Sequence, residues 1–165
     1  MDMRSRRGLV ATGFAAVVIA VAGLRGRLRR YEIAESSMEP ALWAGDYVMA
    51  RRVEAALVRG DIIVIPHPEM QRFDLVKRLI GMPGETVNIA GGQVHIDGVT
   101  LAEPWAQGPV RPDGEWRLGP DEVFVLGDNR AISAADSRTI GPVGRNAVRW
   151  RVVARYWPPS RIGRL

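Results

Sequence analysis

Residues 8–24, GLVATGFAAVVIAVAGL, form a run of 17 residues without a charge, and this run limits the fold more than any other feature. Arg4, Arg6 and Arg7 precede it, and Arg25, Arg27, Arg29 and Arg30 follow it. As a helix rising about 1.5 Å per residue it reaches roughly 25 Å, enough to cross the hydrocarbon core of a bilayer. The same pattern fits a secretory signal segment, and Ala20–Val21–Ala22 supplies a small-residue cleavage site for one. With three arginines before the run and four after it, the distribution of positive charge does not choose an orientation.

Beyond Tyr31 the periodicity changes. DYVMARRV, DIIVIP, FDLVKRLIGM, ETVNIA, QVHID, EVFVLGD and AVRWRVVARYW are short runs rich in β-branched and aromatic residues. Turn sequences separate them, and Gly91–Gly92 and Asp97–Gly98 predict two tight hairpins in a meander. Residues 103–120, with four prolines, are expected to form a long loop. The apolar run is the only strong helix signal, so the rest is expected to be mainly antiparallel β. The chain has no cysteine, which excludes disulfides and thiol nucleophiles. Its net charge of +5 is not gathered into a basic run within the β region, so no nucleic-acid partner is expected.

Of the 23 basic residues only one, Lys77, is a lysine. Alternation along DLVKRLIG places Lys77 between Leu75 and Leu79 on one strand face, with Val76, Arg78 and Ile80 on the other. Apolar surroundings disfavour an ammonium ion. Bringing a lysine from about 10.4 to about 7.5 costs roughly 4 kcal/mol. That cost makes sense where the neutral amine is used, and arginine cannot replace it because its pKa stays above about 12. A surface lysine spared by chance is the bland alternative. The amine needs a hydroxyl to act on. AESSMEPALWAGD offers Ser36 and Ser37 in a turn stiffened by Pro40, although Ser-Ser before Met-x-Pro is also ordinary turn chemistry. GDNRAISAADSR adds Asp128, Arg130, Asp136 and Arg138, expected to form crossed charge pairs, with Ser133 and Ser137 able to reach a site. His67, between two prolines, and His95, in a strand, lie near no motif, and no metal or cofactor is called for.

Taken in order over residues 33–138, these segments resemble the type I signal peptidases, membrane-bound serine endopeptidases with a Ser/Lys dyad. SMEPAL looks like the nucleophile box, RGDIIVI like the following strand box, VKRLIGMPGE like the lysine box and GDNR…S…DSR like the last box. The resemblance implies Ser37 as nucleophile and Lys77 as general base, 40 residues apart. It implies a β-fold of two antiparallel sheets in a short form without the extra domain of larger members. It also implies retention of one N-terminal transmembrane helix, which divides the chain into a cytoplasmic N-terminus (1–7), an anchor (8–24) and an extracytoplasmic catalytic domain (25–165). The partners it implies are the signal peptides of exported precursors, with Ala-x-Ala before the cut, and the lipid bilayer of a bacterial cytoplasmic membrane. Substrate walls are expected at residues 33–36 and 82–85, with Ile33, Ser36, Met38 and Met82 in contact. Asp128, Arg130, Asp136, Arg138 and Ser133 would support the site.

Two positions depart from the family pattern. Glu35 stands where many relatives have Ser or Gly, beside the expected oxyanion site, and must point away or be protonated; otherwise the oxyanion site must rely on backbone N–H, chiefly that of Ser37. Five residues, AISAA, separate Arg130 from Asp136, one more than usual, so Ser133 competes with Ala134 for the place of the lysine-orienting serine; with Ala134 there, Ser137 or a backbone group would hold the amine. Rival readings are a specialised Ser/Lys maturation peptidase of pilin or conjugation type, a LexA-like self-cleaving repressor, and a non-enzymatic anchored β-module. The repressor would need a helix-turn-helix where this chain has its apolar run.

Overall fold

The computed structural model describes residues 26–70 and 73–165. The expected anchor, residues 8–24, lies outside the described residues, among which no helix is long and apolar enough to cross a membrane. The described chain is mainly β, as expected. Its strands are β1 (Leu28–Glu32), β2 (Tyr47–Arg52), β3 (Ile62–Pro66), β4 (Asp74–Gly81), β5 (Thr86–Ala90), β6 (Gln93–Ile96), β7 (Val99–Thr100), β8 (Gly114–Arg117), β9 (Glu122–Leu126), β10 (Val143–Gly144), β11 (Trp150–Trp157) and β12 (Gly163–Arg164). One short helix, α1 (Ser137–Ile140), follows β9.

The strands form two antiparallel sheets. The larger runs β1-β2-β11-β3-β4-β9-β10, with β12 beside β11; the smaller runs β7-β6-β5-β8. Both predicted hairpins form. Gly91–Gly92 and Asp97–Gly98 all take positive φ, the conformation of the tight turn that suits the twist of paired strands. The loop expected over residues 103–120 instead contains β8, which pairs with β5 and completes the smaller sheet. Its alternation, GEWR, is too short to stand out among the prolines on either side.

The larger sheet is apolar on both faces, which explains the unbroken IIVI of β3. Ile62 and Val64 point into a core with Ile33, Met38, Leu42, Val48, Ala50 and Val152. Ile63 and Ile65 point into a second core with Leu57, Leu79, Val123 and Val125. A third, of Ile80, Val87, Ile89, Val94, Phe124 and Leu126, joins the two sheets. Each such buried side chain contributes about 1.5–3 kcal/mol. The strand that carries Lys77 touches all three cores, because Val76, Leu79 and Ile80 each enter a different one.

Candidate active site

The Ser37 turn is held from below. β1 leads into an extended stretch, where Ile33 N–H donates to Asp46 O and Gly45 N–H donates to Ile33 O, both at 2.8 Å. One 3-10 turn (Ser36–Met38) follows, and Leu42 N–H donates to Met38 O at 2.8 Å. Met38 and Leu42 are sealed in the core beneath, which leaves the neighbouring Ser37 facing β4 at 7 % exposure.

Across from it stands Lys77. Its Cα pairs with Ile63 across the β3–β4 ladder, and Leu75 and Leu79 follow on the same strand face, as alternation predicts. The side chain is 2 % exposed, and its Nζ lies 2.8 Å from Ser37 Oγ. Burial in this apolar niche holds the amine below the ordinary lysine range. Asp136, Glu35 and Asp128 pull it partly back up, while Arg138 pushes it further down. A neutral amine this close to a hydroxyl can take its proton, which is the chemistry of an activated serine.

The third segment reaches the pair through Gly127. β9 ends at Leu126, opposite Arg78, so Gly127 follows directly beside the lysine strand. A Cβ on Gly127 would stand 2.3 Å from Ser133 Oγ and 2.5 Å from Ser37 O. Only a glycine lets the Ser37 turn and the Ser133 loop close on each other here. Asn129 N–H donates to Ser37 O at 3.1 Å and fixes the contact. Sequence reading gave Gly127 no role of its own; its position between a strand end and the conspicuous DNR was the available signal. Gly127→Ala is expected to lower the rate of any reaction of the Ser37 hydroxyl with Lys77 about 100-fold, because misplacing a reacting group by about 1 Å has that effect. It should also cost about 1–3 kcal/mol through overpacking. Steady-state kinetics and a melting curve read both, and an alanine variant with wild-type kinetics would dismiss the role given to this close approach.

Ser133 is buried and Ala134 is exposed, so the serine faces the site. Its Oγ donates to Asp136 Oδ2 at 2.7 Å, and no hydrogen bond joins it to Lys77. Ser137 is engaged elsewhere, accepting from Val125 N–H at 2.9 Å. Asp136 is the hub: it accepts from Gly127 N–H at 3.2 Å and from Arg138 Nε at 2.9 Å, and it caps α1. Burial alone would raise its pKa, but Arg138, Ser133 and Gly127 together hold it below the usual carboxylate range. Asp136 therefore stays anionic beside the lysine.

The expected crossed pairs form only in part. Asp136 pairs with Arg138 within the segment. Asp128 pairs with Arg78 of β4, and Arg130 pairs with Glu103. Both outward pairs are buried, whereas sequence reading left them as loop charges. Arg78 also donates to Gly60 O at 2.7 Å and lies 4.9 Å from the Trp105 ring centroid. Arg78, Glu103 and Trp105 were missed because their partners are remote in sequence.

Of the expected contact residues, Ile33 and Met38 are fully buried, while Ser36 and Met82 are half-buried. The wall expected at residues 82–85 has most of its backbone occupied. Met82 N–H donates to Glu85 Oε2, Gly84 N–H to Gly119 O, Glu85 N–H to Met82 O, and Glu85 O accepts from Leu118 N–H. The unpaired backbone lies on β4 instead. Its residues from Asp74 to Lys77 pair with β3 on one side, whereas β9 covers the other side only from Arg78 onward. Glu35 is exposed.

Comparison with known proteins agrees with the geometry. The family described as "Signal peptidase, peptidase S26" matches residues 6–157. The chain is 40 % identical over 147 residues to signal peptidase I of Leptolyngbya laminosa, covering 81 % of this chain and 70 % of the relative. It is 30 % identical over 173 residues to signal peptidase I of Bacillus caldolyticus, covering 94 % and 93 %. A crystal structure of a signal peptidase I from Enterococcus faecalis superposes with a TM-score of 0.51 at 32 % identity, over 57 % of this chain and 94 % of that one. A buried serine–lysine contact on this β-fold, in a chain matched along most of its length, places it in the signal peptidase family, peptidase S26, as a serine endopeptidase.

Proposed function

We infer that this peptidase removes N-terminal signal peptides from exported precursors with Ser37 as nucleophile and Lys77 as general base, working from a membrane anchor formed by residues 8–24 with the β domain on the extracytoplasmic side. The 2.8 Å approach of a buried amine to the Ser37 hydroxyl is the observation that carries this reading. Neutral Lys77 takes the Ser37 proton as Oγ attacks the scissile carbonyl. The resulting ammonium gives that proton to the leaving amine, and the neutral amine then activates the water that releases the acyl group. Ser37 N–H donates to no described group and is free to receive the developing oxyanion. Glu35, being exposed, does not oppose it. Asp136, Arg138, Asp128, Arg130 and Ser133 act by holding the loop that closes over the pair.

The precursor lies extended along the free edge of β4 between Asp74 and Lys77. Side chains pointing down meet Val76, Ile33 and Met38, which are already packed in one core. Little space remains there, so small residues such as Ala are favoured at the first and third positions before the cut. The test uses the full chain in detergent with a precursor that has Ala at both positions. Sequencing of the released N-terminus should locate the cut after the second Ala. Changing either Ala to Phe should lower kcat/KM about 10- to 100-fold, as overfilling a packed pocket costs about 1–3 kcal/mol. Equal cleavage of the Phe precursors would reject the pocket.

A further inference from the structure

The free edge of β4 opens at Asp74 into a groove of about 610 Å3. Asp74 belongs to both the edge and the groove. Trp150, on the groove lining, packs on the same core as Val76 and Ile33, so the groove continues the path given to the precursor. Asp74 and Lys77 are three residues apart, about 10 Å at the rise of a strand, which an extended partner covers with three residues of its own. The fourth to sixth residues before the cut therefore reach the groove.

The charge at that end is of one sign. Arg29 from β1, Arg52 from β2 and Arg149 just before β11 stand on the groove, all three exposed. None has an acidic partner among the described residues, in a domain where other arginines do pair. Arg29 lies over the Trp150 ring, 4.9 Å from its centroid, which holds one guanidinium over the groove. The single carboxylate on the lining is Asp74, outnumbered by the three arginines. The Tyr31 hydroxyl, facing Arg29 and Asp74, is buried and has no hydrogen-bond partner among the described residues, so it is a donor in waiting.

We propose that Arg29, Arg52 and Arg149 are specificity-determining residues, which favour precursors with a carboxylate at the fourth to sixth positions before the cut and disfavour those with lysine or arginine there. This rests on the precursor path given under the proposed function. Guanidinium forks match the two oxygens of a carboxylate, and a like charge brought against three unpaired cations is repelled. The apolar lining, Val64 and Trp150, accepts the carbon stem of the same residue. Selection here is independent of the small-residue preference beside Val76, because it reads charge where the other reads volume.

The experiment uses the full chain in detergent and three precursors with Ala at the first and third positions, identical except for Asp, Asn or Lys at the fifth. Wild type should cleave the Asp precursor with kcat/KM roughly tenfold above the Lys precursor, with Asn between, because single exposed pairs contribute little but here three attractions become three repulsions. The difference should lie mainly in KM, since the charge is remote from the reacting bond. Salt at about 1 M, where screening acts over about 3 Å, should bring the ratio close to one. Arg29→Gln/Arg52→Gln/Arg149→Gln should reduce the ratio to within about twofold at low salt, and Arg52→Glu alone should narrow it. The ratio is read within each enzyme, so a change in overall rate does not disturb it, and circular dichroism checks folding. Equal kcat/KM for the three precursors with wild type, or an undiminished ratio in the folded triple variant, overturns the proposal. Cleavage after the second Ala that ignores the fifth residue leaves the proposed function standing and removes only this inference; no Ser37-dependent cleavage of any precursor removes both.

Discussion

Lys77→Arg is expected to remove precursor cleavage, lowering kcat/KM by at least about 1000-fold. The substitution keeps the positive charge and nearly the length of the side chain, but a guanidinium does not release a proton in the accessible pH range. A general base contributes about 100- to 10,000-fold, and a nucleophile loses nearly all its reactivity when its base is removed, because the two act as a unit. Ser37→Ala should therefore cost about as much as Lys77→Arg, and the double variant no more than either. Wild-type activity should rise with pH on a limb set by the lysine. Burial favours the neutral amine, so the limb lies below the ordinary lysine value of 10.5, and the base form grows as pH rises through it. Single-turnover cleavage across pH 5–10, with circular dichroism to confirm folding, reads all of this. An active arginine variant, or a limb at the ordinary lysine value, would remove Lys77 from the role of base.

The Ser37–Lys77 pair was legible before any coordinates because both constraints on it are local. A lone lysine flanked by leucines on a strand face, and a serine in a Met-x-Pro turn, can be read from neighbours a few residues away. Hairpins at Gly91–Gly92 and Asp97–Gly98 were legible for the same reason, since the turn conformation selects the residues directly. The supporting frame was not. Arg78 finds Asp128 50 residues away, and Arg130 finds Glu103 27 residues away, so no spacing rule connects them. The need for a glycine at position 127 appears only when β9, the Ser37 turn and the Ser133 loop are brought together. The choice between Ser133 and Ala134 needed the loop's path, which turns one inward and the other to solvent. The free backbone of β4 was not foreseen because it depends on where β9 stops covering that strand, a property of the sheet as a whole.

Asp128→Ala should destabilise the domain by about 3–5 kcal/mol, since it leaves the Arg78 guanidinium buried without a counterion. For a chain of this size that is a fall in melting temperature of about 6–20 °C. The pair is a poor source of net stability, however. Burial raises the Asp128 carboxyl above its usual range even though Arg78 and Arg130 pull it down, so desolvation outweighs the ion pair. Replacing both partners with apolar residues, Arg78→Met/Asp128→Leu, should then restore most of the lost stability, because such exchanges are often neutral or favourable. Activity should not return with it. Arg78 adjoins Lys77 and Asp128 adjoins Gly127, so the bidentate contact ties the lysine strand to the residue on which the nucleophile turn and the Ser133 loop close. The restored double variant should remain at least about tenfold below wild type in kcat/KM, with the loss mainly in kcat, since the reacting groups and not the substrate edge have been loosened. Urea denaturation and steady-state kinetics on wild type, both single variants and the double variant complete the cycle. A double variant that regains both stability and rate would mean that the ion pair only fills space beside the active site.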